Sequence, residues 1–142
     1  MIFWDTSALI RCYEADEPVQ GHAMNLLLRE SGHKGSSLIK VEAVSAIIRR
    51  FSRRRAVRAS LLALLEEHLS HFDLVPIDEH LMELAVKLVR AHSLRAGDAL
   101  HLAAAVRLAR DLGKRRFRFA TADTEQADAA EAAGILVIRL HG

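Results

Sequence analysis

Two hydrophobic rhythms alternate along the chain. Short strand-forming runs occur at 2–5 (IFWD), 72–77 (FDLVPI), 116–121 (RFRFAT) and 135–139 (ILVIR), and KGSSL at 34–38 is a weaker fifth candidate. Helical spacing fills the intervals. SALIRCYE (7–14) and EPVQGHAMNLLLRES (17–31) read as helices, with Pro18 suited to the first turn of the second. KVEAVSAIIRRFSR (40–53) sets Val41, Val44, Ile47, Ile48 and Phe51 on one stripe, and RASLLALLEEHLSH (58–71) is amphipathic. Asp78 is placed to cap a helix at 79–92. The helix that contains Asp98 runs to about Leu112 and stops at Gly113, and TEQADAAEAA (124–133) ends at Gly134.

Strands that alternate with helices predict an α/β fold: a mainly parallel five-stranded sheet with helices on both faces. Right-handed crossovers bring the carboxyl ends of such strands to one edge, where open α/β sheets take their ligands. The chain has 142 residues and neither an internal repeat nor a Pro-rich hinge, so a single domain over 1–142 is expected. The longest stretch without Asp, Glu, Lys or Arg, 18–28, is too short to span a bilayer. The opening MIFWDTSALI has no basic lead-in, so no signal peptide and no membrane association are expected. The lone Cys12 excludes an internal disulfide and fits a reducing compartment, which points to the cytoplasm. It reads as a packed residue on the first helix.

Under this topology four acids fall where the fold would use them. Asp5 closes the first strand, and Asp123 follows the fourth in FATAD. Glu42 is in the first turn of the helix after the second strand, and Asp98 is in the first turn of the helix before the fourth. Each has a plain reading as a cap or a first-turn acid worth about 0.3–1 kcal/mol against the helix dipole. Thr6 and Ser7 could cap the first helix as well as Asp5 does. Four independent caps need not converge, however, and carboxylates that do converge repel unless a cation compensates. A hard divalent ion with oxygen ligands is the usual compensation: Mg²⁺, for which Mn²⁺ often substitutes.

Other polar residues receive smaller roles. His101, one helical turn after Asp98, reads as a buried histidine that could orient it. His68 and His71 lack companions for a zinc site. Asp128 and Glu131 lie on an exposed helix face if Ala127 and Ala130 pack inward, and Trp4 fills one face of the sheet. The net charge is only +2, yet RRFSRRRAVR (49–58) and KRRFR (114–118) concentrate cations as a surface facing a polyanion would. Arg49 shares a helical face with Glu42, so it could hold an RNA phosphate or simply face solvent; Arg50, Arg53, Arg54, Arg55 and Arg58 could bind RNA backbone, contact an acidic protein segment, or do neither.

DTSALI (5–10), SSLIKVEAVSAI (36–47), LRAGDALHLAAA (94–105) and FATADTEQADAAEAAGI (119–135) resemble, in order and spacing, the blocks of PIN-domain proteins of the VapC type. These are the toxins of bacterial or archaeal toxin–antitoxin pairs. The resemblance implies a PIN-like three-layer α/β/α sandwich and a Mg²⁺- or Mn²⁺-dependent endoribonuclease that leaves 5′-phosphate and 3′-hydroxyl ends on a structured RNA. Carried onto this chain, it makes Asp5, Glu42, Asp98 and Asp123 the catalytic and metal-holding acids. Thr121 becomes a hydroxyl contact, and Thr6 and Ser7 the polar pair behind the first acid. It also implies a homodimer and an antitoxin on a separate chain. The alternative is a catalytically silent PIN-fold module that binds RNA or protein. Other phosphate-handling α/β enzymes fit less well: a haloacid-dehalogenase-like phosphatase needs an acid where Ser7 stands, and no P-loop or G-x-G-x-x-G occurs.

Overall fold

Ile2, Phe3 and Trp4 make up the central strand of the sheet, and none of the three exposes any surface. A strand covered on both faces has no polar alternation to display, which is why this one reads as a plain apolar run. The computed structural model describes residues 1–140; His141 and Gly142, the last two of the expected domain range, lie outside the described residues. Five strands form one sheet: β1 (Ile2–Trp4), β2 (His33–Ser36), β3 (Phe72–Val75), β4 (Arg118–Thr121) and β5 (Leu136–Arg139). Their order is β3-β2-β1-β4-β5, and every pairing is parallel.

The helices are α1 (Thr6–Ile10), α2 (Val19–Arg29), α3 (Leu38–Arg50), α4 (Arg55–Leu69), α5 (Glu79–His92), α6 (Ala96–Leu112) and α7 (Thr124–Ala132). Alternation along β1 sorts them into two layers. Ile2 and Trp4 pack with buried residues of α1 to α4, such as Leu9, Leu27, Ile47 and Leu65. Phe3 points the other way and packs with α5 to α7 through Leu81, Leu102 and Ala130. The result is the three-layer sandwich expected from the alternating periodicities. Ala99, Ala103, Ala104 and Ala105 are buried along α6, and their small side chains let that helix lie close to the sheet. Trp4 fills the opposite face as expected. Its Nε1 donates to His33 Nδ1 at 3.1 Å, and burial keeps His33 below its ordinary pKa, in the neutral form that can accept.

Several boundaries differ from expectation for identifiable reasons. α1 stops at Ile10, and Cys12 lies beyond it. Ile10, Cys12 and Tyr13 are all buried. In a continuous helix Ile10 and Cys12 would point about 160° apart, so the chain turns instead. Pro18 immediately precedes α2 and is not in its first turn. α3 begins at Leu38, which moves Glu42 from the first turn to the second. Its buried line is Ile39, Ala43 and Ile47, while Val41 is 70% exposed and Val44 and Ile48 are exposed too. This three-residue line at i, i+4 spacing, on a helix that packs against α1 and α4, displaces the predicted stripe. Asp78 caps α5 through the Leu81 amide at 2.9 Å, and Gly113 and Gly134 follow the ends of α6 and α7 with positive φ, as expected. Among the described residues no helix is long and apolar enough to cross a membrane.

Candidate active site at the carboxyl edge of the sheet

The strand order reverses at β1: the chain moves outward through β2 and β3 on one side and returns through β4 and β5 on the other. Crevices at such a switch point collect the carboxyl ends of adjacent strands and the starts of the helices that follow them. Asp5 occupies this position between β1 and α1 and is 1% exposed. It takes the cap of α1 itself. Its Oδ2 accepts the Ser7 amide at 3.2 Å and the Ser7 hydroxyl as well. Its Oδ1 is left to face Gln126 and His101, the latter at 3.9 Å.

Glu42 enters from α3. Its Oε1 accepts from Thr6 Oγ1 at 2.7 Å and from His101 Nε2 at 2.5 Å. His101 is fully buried, and its Nδ1 meets Ser36 Oγ at 2.9 Å. Burial alone would lower the imidazole pKa, but the bond to Glu42 and the charges of Asp5 and Asp98 outweigh it and raise it. Burial likewise works to raise the Glu42 carboxyl, and the His101 and Thr6 bonds hold it below its ordinary value instead. His101 and Glu42 therefore form a half-buried ion pair, with Nε2 as the donor. His101 is the buried, hydrogen-bonded histidine that the sequence suggested; the partner of its Nε2 is Glu42, 59 residues away.

Asp98 stands in the first turn of α6 as expected. Its carboxyl is pushed up to about 6, first by burial, then by the negative charges of Asp5 and Asp123, with a smaller contribution from Glu42 and only partial relief from His101. Asp123 caps α7, its Oδ1 accepting the Gln126 amide at 2.8 Å. Asp5, Glu42 and Asp98 line one cleft of about 270 Å³, with Arg49 on its rim. Asp123 does not line that cleft and reaches the others through its field. Arg53 is exposed in the turn between α3 and α4, outside the cleft lining. Thr6 and His101 bond to Glu42 and Ser7 to Asp5, and Thr121 Oγ1 accepts the Asp123 amide and lies 3.2 Å from Asp5 Oδ2. Gln126, which the sequence did not single out, is fully buried among Asp5, Asp98 and Thr121. Its only sequence signal is a large amide at an inward position of a helix otherwise packed by alanines.

The donors are all hard oxygens, and their mutual repulsion is visible at Asp98. Among the described residues no group of three His, Cys, Asp or Glu side chains is arranged to hold an ion by itself. That combination fits a Mg²⁺-like ion, which takes one or two carboxylates and completes its shell with water and substrate phosphate. It does not fit a closed protein cage. Gly97 supplies room for the arrangement: a Cβ there would lie 2.7 Å from Glu42 Oε2. Gly97→Ala is expected to leave the fold intact, since alanine favours a helix by up to about 1 kcal/mol. It should drive the Glu42 carboxylate off His101, as read in a crystal structure of the variant; an unmoved Glu42 would contradict this.

A PIN-domain family model matches residues 2–132. Ribonuclease VapC46 of Mycobacterium tuberculosis (strain ATCC 25618 / H37Rv) is 33% identical over 138 residues, covering 96% of this chain and 95% of the relative. Among solved structures, the crystal structure of FitAcB from Neisseria gonorrhoeae superimposes with a TM-score of 0.69 at 19% identity, covering 99% of this chain and 98% of that one, and so shares the fold. With the four VapC-type sequence blocks now found on the parts of that fold that carry the acids, this chain belongs to the PIN-domain family and is of the VapC type.

Proposed function

We propose that this chain is a divalent-metal-dependent endoribonuclease, using Mg²⁺ with Mn²⁺ able to substitute, and the toxin of a toxin–antitoxin pair. The observation that carries the reading is the convergence of Asp5, Glu42 and Asp98 on one cleft, where burial and the charges of Asp5 and Asp123 push the Asp98 carboxyl up to about 6. The M. tuberculosis relative is a ribonuclease, which supports it. Asp5 and Asp98, with Glu42 and Asp123, would hold the ion. Bound there, it would supply positive charge to neutralise a phosphodiester and to activate water.

The chain's own residues do the rest. Ser7 fixes Asp5 Oδ2, and Thr6 and His101 fix Glu42 Oε1, so the carboxylates cannot turn away. Thr121 ties the β4 end to Gln126, which in turn donates to Asp5. Arg49, on the rim of the cleft, is placed for an RNA phosphate. Water attacks phosphorus in line and one carboxylate takes its proton. The bond from phosphorus to the 3′-oxygen breaks and that oxygen is protonated, so the products carry a 5′-phosphate and a 3′-hydroxyl. The 2′-hydroxyl is not consumed. A structured RNA as substrate, an antitoxin on a separate chain, a homodimer and a cytoplasmic location complete the proposal. Arg53 and its neighbours between α3 and α4 are available to RNA backbone or to the antitoxin. The silent-module alternative is disfavoured because all four acids are intact and Glu42 is held ionised by His101.

Purified protein should cut a structured RNA only with Mg²⁺ or Mn²⁺ present. Asp98→Asn should lower the rate at least about a hundredfold while the protein stays folded. Equal rates would overturn the assignment of Asp98. The pH dependence has a defined sign. In the metal-free protein the folded state retains a proton on Asp98 that the unfolded chain has given up, between the ordinary carboxylate range and about 6. The stability due to that group is therefore lost as pH rises through 6, and a cation restores it there. Mn²⁺ should raise the melting temperature at pH 7.5 and lose that effect by pH 5; an equal gain at both pH values would contradict the account.

A further inference from the structure

Gln126 is 0% exposed, and every polar atom of its side chain is engaged. The direction of each bond follows from counting protons. Ser7 Oγ accepts the Ala122 amide at 2.9 Å, so its own proton goes to Asp5 Oδ2. Thr121 Oγ1 accepts the Asp123 amide at 3.1 Å and has one proton to give. Three acceptors are in reach: Asp5 Oδ2 at 3.2 Å, Ser7 Oγ at 3.2 Å and Gln126 Oε1 at 3.0 Å. Oδ2 is already served by the amide and hydroxyl of Ser7, and Ser7 Oγ by the Ala122 amide, so the proton belongs to Gln126. The other end of the amide then presents its two N–H bonds to two acceptors, Asp5 Oδ1 at 3.3 Å and the Asp98 carbonyl at 3.0 Å. A flipped amide would set oxygen against both of them, so only one orientation is satisfied.

One side chain thus joins four pieces of the site. It reaches the end of β1 at Asp5, the first turn of α6 at Asp98 and the end of β4 at Thr121, and its backbone amide is held by Asp123 at the start of α7. We propose that Gln126 is a positioning residue: its amide holds Asp5 Oδ1 and the first turn of α6 together, keeping two mutually repelling carboxylates at the spacing a cation needs. This rests on the ribonuclease reading above. The residue acts through Asp5 and Asp98 and needs no contact with RNA. Like-charged groups would otherwise separate whenever the cation leaves, and each new ion would have to draw them together again. A tie made of neutral donors avoids that reorganisation without competing for the ion, as a lysine in the same place would.

The test uses Gln126→Met, which keeps the buried volume but removes both donors, and Gln126→Glu, which keeps an acceptor for Thr121 and also removes them. Mn²⁺ alone is titrated by electron paramagnetic resonance of the free ion, and cleavage is followed on a hairpin RNA that the wild-type protein cuts. Both variants should bind Mn²⁺ about 10–100-fold more weakly. At fixed Mn²⁺, kcat should fall by a similar factor with KM for the hairpin unchanged, because RNA contacts are untouched. If one variant does not fold, the other decides. A lowered melting temperature with wild-type Mn²⁺ affinity and kcat overturns the proposal, since that is what a packing role alone would give. A wild-type protein that binds no Mn²⁺ and cuts no RNA overturns the ribonuclease reading, and the tie with it; a functional wild type with indifferent variants overturns the tie alone.

Discussion

The crowding of negative charge at the switch point is the constraint on which the rest of the structure depends. Asp5 is almost wholly buried, Asp98 shares its cleft, and Asp123 and Glu42 add their fields from either side. In a low-dielectric setting such groups separate or take up protons. Here separation is prevented, and the residual strain is expressed as the raised pKa of Asp98. Hydrogen bonds to the ionised forms do the holding: Ser7 and Gln126 at Asp5, Thr6 and His101 at Glu42. The start of α6 at this edge favours negative charge as well.

That arrangement requires a scaffold that does not yield. β1 contributes three residues with no exposed surface; Ile2 and Phe3 have a parallel neighbour on both sides, and Trp4 pairs with Ala120 of β4. The alanines of α6 bring its first turn close enough to the sheet for Gln126 to reach the Asp98 carbonyl. Gly97 leaves out the Cβ that would strike Glu42. Packing density and chemistry are therefore one problem at this edge: a larger residue at several positions would fit a helix equally well and displace a carboxylate.

The sequence made the architecture legible because strands buried on both faces and helices with one apolar stripe leave different periods. It also located Asp5, Glu42, Asp98 and Asp123, since a parallel sheet defines which element ends share an edge. What it hid was decided by tertiary packing. α1 ends early because Ile10, Cys12 and Tyr13 must all turn inward. The buried side of α3 follows Ile39, Ala43 and Ile47, and the more hydrophobic Val41 and Ile48 are left in solvent. His101 is buried and hydrogen-bonded as its sequence suggested, but its partners Glu42 and Ser36 lie 59 and 65 positions away, where local spacing does not reach. Gln126 lay beyond periodicity altogether: its partners at Asp5 and Asp98 are 121 and 28 residues distant.

The central claim is that the crowded acids form a working phosphodiesterase site on RNA. Sequencing of RNA 5′-phosphate ends after brief induction of the protein, beside an Asp98→Asn control, tests it most directly. The account predicts a dominant new end in a structured RNA, absent from the control and reproduced by purified protein only when a divalent ion is present. No new ends, from folded protein that binds Mn²⁺, would contradict it and favour a PIN-fold binding module.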